Sequence, residues 1–304
     1  MEQILYDCDP GQDDAMALLS ALGNPDKVKI LGVTTVGGNQ KLNLVTQNAG
    51  HLLKFCHESL PLVSGQKEPL IHQLQPQPQA HGFTGMDGAD LSNYFYPVKG
   101  MNAPLFMAQT LANASEPITI VATAPLTNIA LLIKTFPKVK NKIKQIIIMG
   151  GGIDHGNATK YAEFNIWTDP EAARIVFNSG LKMVIASLDI TEKTTISKKQ
   201  IVSLNEGGRV SQLASKLLTF YQKSGEKYGF IDAPVHDLVA MEYLLAPELF
   251  ETRKVKIQIA LAGERVGQTY LEDDENKPHL LLTKMKEQKF FSILQRALYV
   301  LDQK

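Results

Sequence analysis

The chain has 304 residues and balances 31 Lys and Arg against 31 Asp and Glu. Zero net charge gives no electrostatic footprint for nucleic acid or an anionic membrane, so a small uncharged molecule is the expected partner. Cys8 and Cys56 are too few for a disulfide framework or a cysteine-based zinc site, and no apolar run approaches the roughly 20 residues that cross a bilayer. Without a basic, apolar and cleavable N-terminal segment, a cytoplasmic protein is the expectation.

The first predicted strand, Ile4 to Tyr6, runs into Asp7-Cys8-Asp9-Pro10-Gly11-Gln12-Asp13-Asp14, ahead of an apolar helix from Ala15 to Leu22. Four carboxylates therefore crowd one strand-to-helix turn. Helix capping accounts for one or two of them and leaves the others without a role. Carboxylates this close repel one another unless a positive charge compensates them, and an all-oxygen set suits Ca²⁺ or Mg²⁺ better than zinc.

Further strands are predicted at Val28 to Val36, Leu60 to Val63, Ile118 to Ala122, Ile146 to Met149 and Met183 to Ser187. Helices are predicted between them at Asn43 to Cys56, Pro104 to Ala114, Leu126 to Thr135 and Pro170 to Asn178. This alternation predicts an α/β fold, a mostly parallel open sheet with helices on both faces, in one domain over residues 1–304. The Gln-, Pro- and Gly-rich stretch from Gly65 to Gly100 interrupts it as a long, functional or mobile loop. From Ser197 the pattern predicts a helical C-terminal portion, with Val210 to Tyr228 and Val235 to Leu245 as its long helices. Two or three short strands from Val255 to Leu282 and a helix near Phe290 to Leu301 follow.

Ligands of open α/β sheets bind at the carboxyl ends of the strands. Those ends carry the acid cluster, Gly37-Gly38-Asn39, Thr123, Gly150-Gly151-Gly152 and Asp189. Neither glycine group completes a dinucleotide fingerprint, and no phosphate-cradling Gly-Lys-Ser or Gly-Lys-Thr occurs. A calcium-binding helix-loop-helix also fails, because Leu18 stands where its final Glu belongs. The Asp-x-Asp of haloacid-dehalogenase-type phosphatases is a rival, with Asp7 as nucleophile, although Gly11 and the pair Asp13-Asp14 do not fit it.

Asn157-Ala158-Thr159-Lys160-Tyr161-Ala162-Glu163-Phe164-Asn165 combines carboxamides and a carboxylate that can grip several hydroxyl groups, as a sugar requires. Asp232-Ala233-Pro234-Val235-His236-Asp237 opens a helix, and His81 sits in the long loop as a candidate pocket residue. His51 and His57 read as packed or solvated helix residues.

Taken in order, the acid cluster, Gly37-Gly38-Asn39, Pro125-Leu126-Thr127-Asn128-Ile129-Ala130, Met149-Gly150-Gly151, Ala162-Glu163-Phe164-Asn165 and His236-Asp237 resemble the inosine-uridine-preferring nucleoside hydrolases along nearly the whole chain. The resemblance implies Ca²⁺ held by Asp9, Asp14, Asp237 and the backbone carbonyl of Thr123, with Asp7 orienting these ligands. It implies Asp13 as general base toward the attacking water and His236 as proton donor to the departing base. Asn39, Asn157, Glu163 and Asn165 would hold ribose hydroxyls, Met149 and Phe164 would line the sugar or base pocket, and His81 would contact the base. The implied activity is hydrolysis of ribonucleosides to base and ribose in nucleoside salvage, by a homodimer or homotetramer. A non-catalytic nucleoside-binding protein is the remaining alternative, and base preference, like the roles of Tyr221 and Tyr228, stays open.

Overall fold

β1 (Glu2–Cys8) begins the computed structural model, which describes residues 1–276 and 278–304. Ile4, Tyr6 and Cys8 face one hydrophobic layer and Leu5 the other, so the strand is covered on both sides and reads as a continuous apolar run. α1 (Gln12–Leu22) follows, and every one of its residues is buried. A helix apolar nearly all round belongs inside a core, and here its last apolar residues continue directly from the acids of its first turn.

β2 (Val28–Thr35), α2 (Leu42–Phe55) and β3 (Leu62–Ser64) complete the first unit. A long connection containing only the one-turn α3 (Pro78–His81) leads to α4 (Ala103–Ala112). β4 (Ile118–Ala122), α5 (Thr127–Thr135), β5 (Ile143–Met149), α6 (Phe164–Thr168), α7 (Pro170–Phe177) and β6 (Met183–Ala186) extend the parallel sheet. Next come α8 (Leu188–Thr191), β7 (Thr195–Ile196), α9 (Lys198–Ser203), α10 (Arg209–Gly225), β8 (Ala233–Pro234) and α11 (His236–Leu245). The chain closes with β9 (Phe250–Ile259), β10 (Thr269–Glu272), β11 (His279–Met285) and α12 (Glu287–Asp302).

Nine strands form one sheet in the order β10-β9-β11-β6-β5-β4-β1-β2-β3. It is parallel except at β9, which runs antiparallel to β10 and β11. β1 pairs with β2 on one side and β4 on the other, so the winding reverses between β1 and β4. Such a reversal leaves a crevice beyond the strand ends, since successive connections depart to opposite sides there. The acid-bearing turn after β1 and Thr123 after β4 both stand at that crevice. α1 packs against α11, which brings Asp237 to the same place from far along the chain.

The two or three short strands expected from Val255 to Leu282 are β9, β10 and β11, and they join the central sheet. β9 starts at Phe250 rather than Val255, and its first five residues are exposed or half-exposed and mostly polar, so no apolar alternation marks them. The long helix ends at Gly225, not Tyr228, and a 3₁₀ turn over Glu226–Tyr228 closes at Gly229 with φ of 90°. The sixth strand stops at Ala186, where Ser187 starts α8. Among the described residues no helix is long and apolar enough to cross a membrane.

Candidate active site

The turn after β1 buries its four carboxylates completely or nearly so. Asp7 Oδ1 accepts from Thr34 Oγ1 at 2.6 Å and from Asn128 Nδ2 at 2.9 Å. Asp9 Oδ2 accepts from the Asn39 backbone N–H at 2.6 Å. That bond needs close backbone approach: a Cβ on Gly38 would lie 1.9 Å from Asp9 Oδ2, so only glycine fits.

Asp14 occupies the third position of α1 and accepts from the Gly11 N–H at 3.2 Å, the half of a capping box that its side chain can make. Its other oxygen accepts from Thr123 Oγ1 at 2.7 Å and Tyr6 Oη at 3.2 Å. Asp13 Oδ2 accepts from Tyr221 Oη at 3.2 Å. Asp237 enters from the first turn of α11, and oxygens of Asp13, Asp14 and Asp237 lie within 4.8 Å of one another. Asp9 falls outside that close group of three, one of its oxygens being taken by Asn39.

Burial is the largest influence on each of these acids. It pushes Asp7 and Asp13 up to about 7 and Asp14 to about 6, and it raises Asp9 and Asp237 well above the carboxylate range, with mutual repulsion adding to most of them. Among the described residues no Lys or Arg forms an ion pair with any of the five. Asp7 Oδ2, Asp9 Oδ1 and Asp13 Oδ1 are buried without a hydrogen-bond partner. Orphaned oxygens in an uncompensated acidic cluster cost several kcal/mol, and an oxygen-coordinated divalent cation would remove that cost. The donor set therefore fits a hard metal ion.

Above the acids opens a cavity of about 510 Å³. Asn39, His81, Met149, Asn157, Glu163, Phe164 and Asn165 all line it, together with Asp13, Thr123, His236 and Asp237. Asp7, Asp9 and Asp14 lie beneath its floor, wholly buried, and do not line it.

The glycine-rich turn after β5 shapes one wall. Gly151 takes φ of 80° and donates its N–H to Glu163 Oε2 at 2.9 Å, while Thr269 Oγ1 of β10 accepts from Gly152 N and donates to Gly152 O. Glu163 caps α6 by accepting from Asn165 N and Ile166 N. Asn165 Nδ2 donates to the carbonyls of Thr123 and Met149 at 3.1 and 3.2 Å, so the Thr123 carbonyl already has one donor. Asn157 Oδ1 accepts from Phe164 N at 2.8 Å.

Two histidines, close enough to repel when charged, line the same cavity. His81 stacks on Tyr221 with ring centroids 5.5 Å apart, and its Nδ1 bonds Gln12 Oε1 at 2.9 Å. His236 Nδ1 bonds Thr191 Oγ1 at 2.8 Å, and Phe230 meets its ring edge-on. Burial depresses both, to about 3 for His81, where His236 adds repulsion, and to about 4 for His236.

The sequence alone assigns no role to Gln12, Thr34, Asn128 or Thr191 and leaves that of Tyr221 open, whereas the structure gives each a partner in the site. Asn128 lay within the segment singled out from Pro125 to Ala130, which was its available signal. Thr34 ends an apolar strand and Gln12 sits among acids, and neither shows its partner in the local sequence.

Comparison with known proteins places nearly the whole chain among relatives. The family described as inosine-uridine preferring nucleoside hydrolase matches residues 4–292. A pyrimidine-specific ribonucleoside hydrolase RihA of Escherichia coli O81 (strain ED1a) is 39% identical over 265 residues, covering 86% of this chain and 85% of that relative. The protein of the same name from Shigella boydii serotype 4 (strain Sb227) is 39% identical over 286 residues and 91% of both chains. A plant nucleoside hydrolase, the PpNRh1 enzyme, superposes with a TM-score of 0.90 at 28% identity, covering 98% of this chain and 99% of that one.

Proposed function

The chain belongs to the inosine-uridine preferring nucleoside hydrolase family and is a ribonucleoside hydrolase, and from that premise we propose that it cleaves pyrimidine ribonucleosides with the help of Ca²⁺. The observation that carries this reading is the convergence of Asp13, Asp14 and Asp237 under a cavity walled by amide side chains. The pyrimidine preference is supported by the names of the relatives at 39% identity.

Asp9, Asp14, Asp237 and the Thr123 carbonyl would hold the cation, and Asp7, fixed by Thr34 and Asn128, would keep that turn in place. When bound, the cation supplies positive charge that lets the surrounding carboxylates ionise, and Lewis acidity toward oxygen. Asp13 is the base: its Oδ1 has no protein partner, and Tyr221 holds its other oxygen.

The ribose grip follows from what each amide has left to offer. Asn165 has spent its Nδ2 on two carbonyls and keeps Oδ1 to accept a hydroxyl, whereas Asn157 has spent Oδ1 and keeps Nδ2 to donate. Glu163, with both oxygens fixed by backbone N–H groups, accepts at its remaining lone pairs, and Asn39 closes the set. Met149 and Phe164 give the apolar wall, and His81 meets the base. The oxocarbenium-like transition state gains from this anionic floor. Burial disfavours the charged form of His236, and with Nδ1 accepting from Thr191 its Nε2–H would be the donor that meets the departing base.

Release of base and ribose suits nucleoside salvage, in a cytoplasmic homodimer or homotetramer built from one domain spanning residues 1–304. The phosphatase alternative finds no support, because Asp7 is sealed beneath the cavity floor and cannot meet a substrate as nucleophile. Ribose release from uridine, cytidine and inosine, measured beside the Asp13→Ala variant, tests the reading. Release lost in the variant is expected; silence toward every nucleoside, or an undiminished variant, overturns it.

A further inference from the structure

One cavity is lined both by residues proposed to grip the sugar, Asn39 and Asn165 beside Asp13 and Asp237, and by His236, proposed to meet the base. Thr191 bonds His236, and the next residue, Glu192, lines the same cavity.

Glu192 is paired across the rim. His155 Nε2 lies 2.7 Å from Glu192 Oε2, joining the glycine-rich turn after β5 to the end of α8, with the two side chains 44% and 23% exposed. The turn itself is pinned by Asp189, whose oxygens accept from Ile153 N at 2.9 Å, Asp154 N at 3.0 Å and Ser187 Oγ at 2.7 Å. The pair is thus held in place before any ligand arrives, which is the condition for a hydrogen-bonding station to discriminate between ligands. Glu192 Oε1 has no hydrogen-bond partner among the described residues, and it belongs to an acceptor-only group when ionised. With His155 Nε2–H donated to Glu192, the ring's Nδ1 is a second acceptor.

We propose that Glu192, held by His155, is a specificity-determining residue that accepts a hydrogen bond from the exocyclic amino group of the nucleobase, favouring cytidine over uridine. Cytosine presents an amino donor at the ring position where uracil presents a carbonyl acceptor. An acceptor-only rim satisfies the first and leaves the second facing a carboxylate, and a mismatch of that kind discriminates far more strongly than a missing methylene. This inference rests on the nucleoside hydrolase reading above and assigns the base-recognising contact within it.

The test is a set of kcat/KM values for cytidine and uridine with the wild-type protein, Glu192→Gln and His155→Ala. Gln at 192 can donate as well as accept, so the cytidine-to-uridine ratio should fall about tenfold or more in Glu192→Gln, the scale of one charge-assisted hydrogen bond. His155→Ala, which frees the carboxylate to move, should lower the ratio in the same direction by a smaller factor. A role confined to bracing the rim would depress both substrates together, so a ratio within twofold of wild type in Glu192→Gln overturns the proposal even with hydrolysis intact. A wild-type protein inactive on both nucleosides overturns the hydrolase reading itself, which separates the two failures.

Discussion

The floor and the rim of the cavity are built on opposite principles. On the floor, Asp7, Asp9 and Asp14 are wholly buried and their partners come from β2, α5 and the turns beyond β2 and β4. On the rim, Tyr228 lines the cavity and is 55% exposed, Phe83 and Ile231, close in sequence to the lining residues His81 and Phe230, are 87% and 84% exposed, and the connection from 65 to 100 contains a single helical turn. Chemistry that depends on fixed charges sits where packing holds it, and contacts to a variable base sit where little packing would be lost by change.

If that division is right, the largest effect comes from the floor. Asp13→Ala removes the proposed base and should lower kcat by roughly 10²- to 10⁴-fold, while the metal-free variant melts no lower than wild type because an orphaned buried oxygen is gone. A kcat within tenfold of wild type would place the base elsewhere.

Chelation should abolish turnover and expose the electrostatic cost of the floor. Asp7 and Asp13 titrate at about 7 in the fold against an ordinary 3.8, so between about pH 4 and 7 the unfolded chain gives up its protons first. The metal-free fold is therefore most stable below about pH 4 with respect to these groups and loses that stability as pH rises to 7. A cation needs the ionised carboxylates, so added Ca²⁺ should raise Tm more at pH 8 than at pH 5. An equal shift at both values in thermal melts would show that these acids do not compete with protons for the ion.

How much of this was legible beforehand depended on the distance between partners. The four acids of the β1–α1 turn stand within eight residues, so their crowding and its need for a cation could be read directly. The parallel sheet was equally plain, since strands such as Met183–Ala186, buried along their whole length, are apolar throughout. Asn128 to Asp7 and Tyr221 to Asp13, by contrast, are pairs separated by 121 and 208 positions that only the strand order and the packing of α10 bring together. The exposed, charged start of β9 carries no periodic signal, so that strand could be read only from Val255, and nothing local showed the grip of Thr269 on the Gly152 turn.

Tyr221 joins floor and rim, so Tyr221→Phe is intermediate in effect. It keeps the stacking on His81 and deletes one hydrogen bond to Asp13, a net loss of about 1 kcal/mol. The expected result is a kcat about tenfold lower with KM less changed, and a larger change in KM than in kcat would move Tyr221 from the base to the substrate.

The smallest effect belongs to the outer rim, and it is the sharpest check on the comparison because it asks for a change in one quantity alone. Phe83 follows His81-Gly82 and is almost fully exposed, while its backbone is fastened from outside the side chain: Asp87 accepts its N–H and Gln40 donates to its carbonyl. Phe83→Ser therefore removes no buried surface, and stability should stay within about 0.5 kcal/mol of wild type. If the segment approaches the base only when substrate is bound, KM should rise a few-fold with kcat preserved. A fall in kcat as large as that of Tyr221→Phe would mean that rim and floor act as one unit, since an exposed ring could then reach the reacting atoms only through the Gln12–His81–Tyr221 contacts that lead down to Asp13.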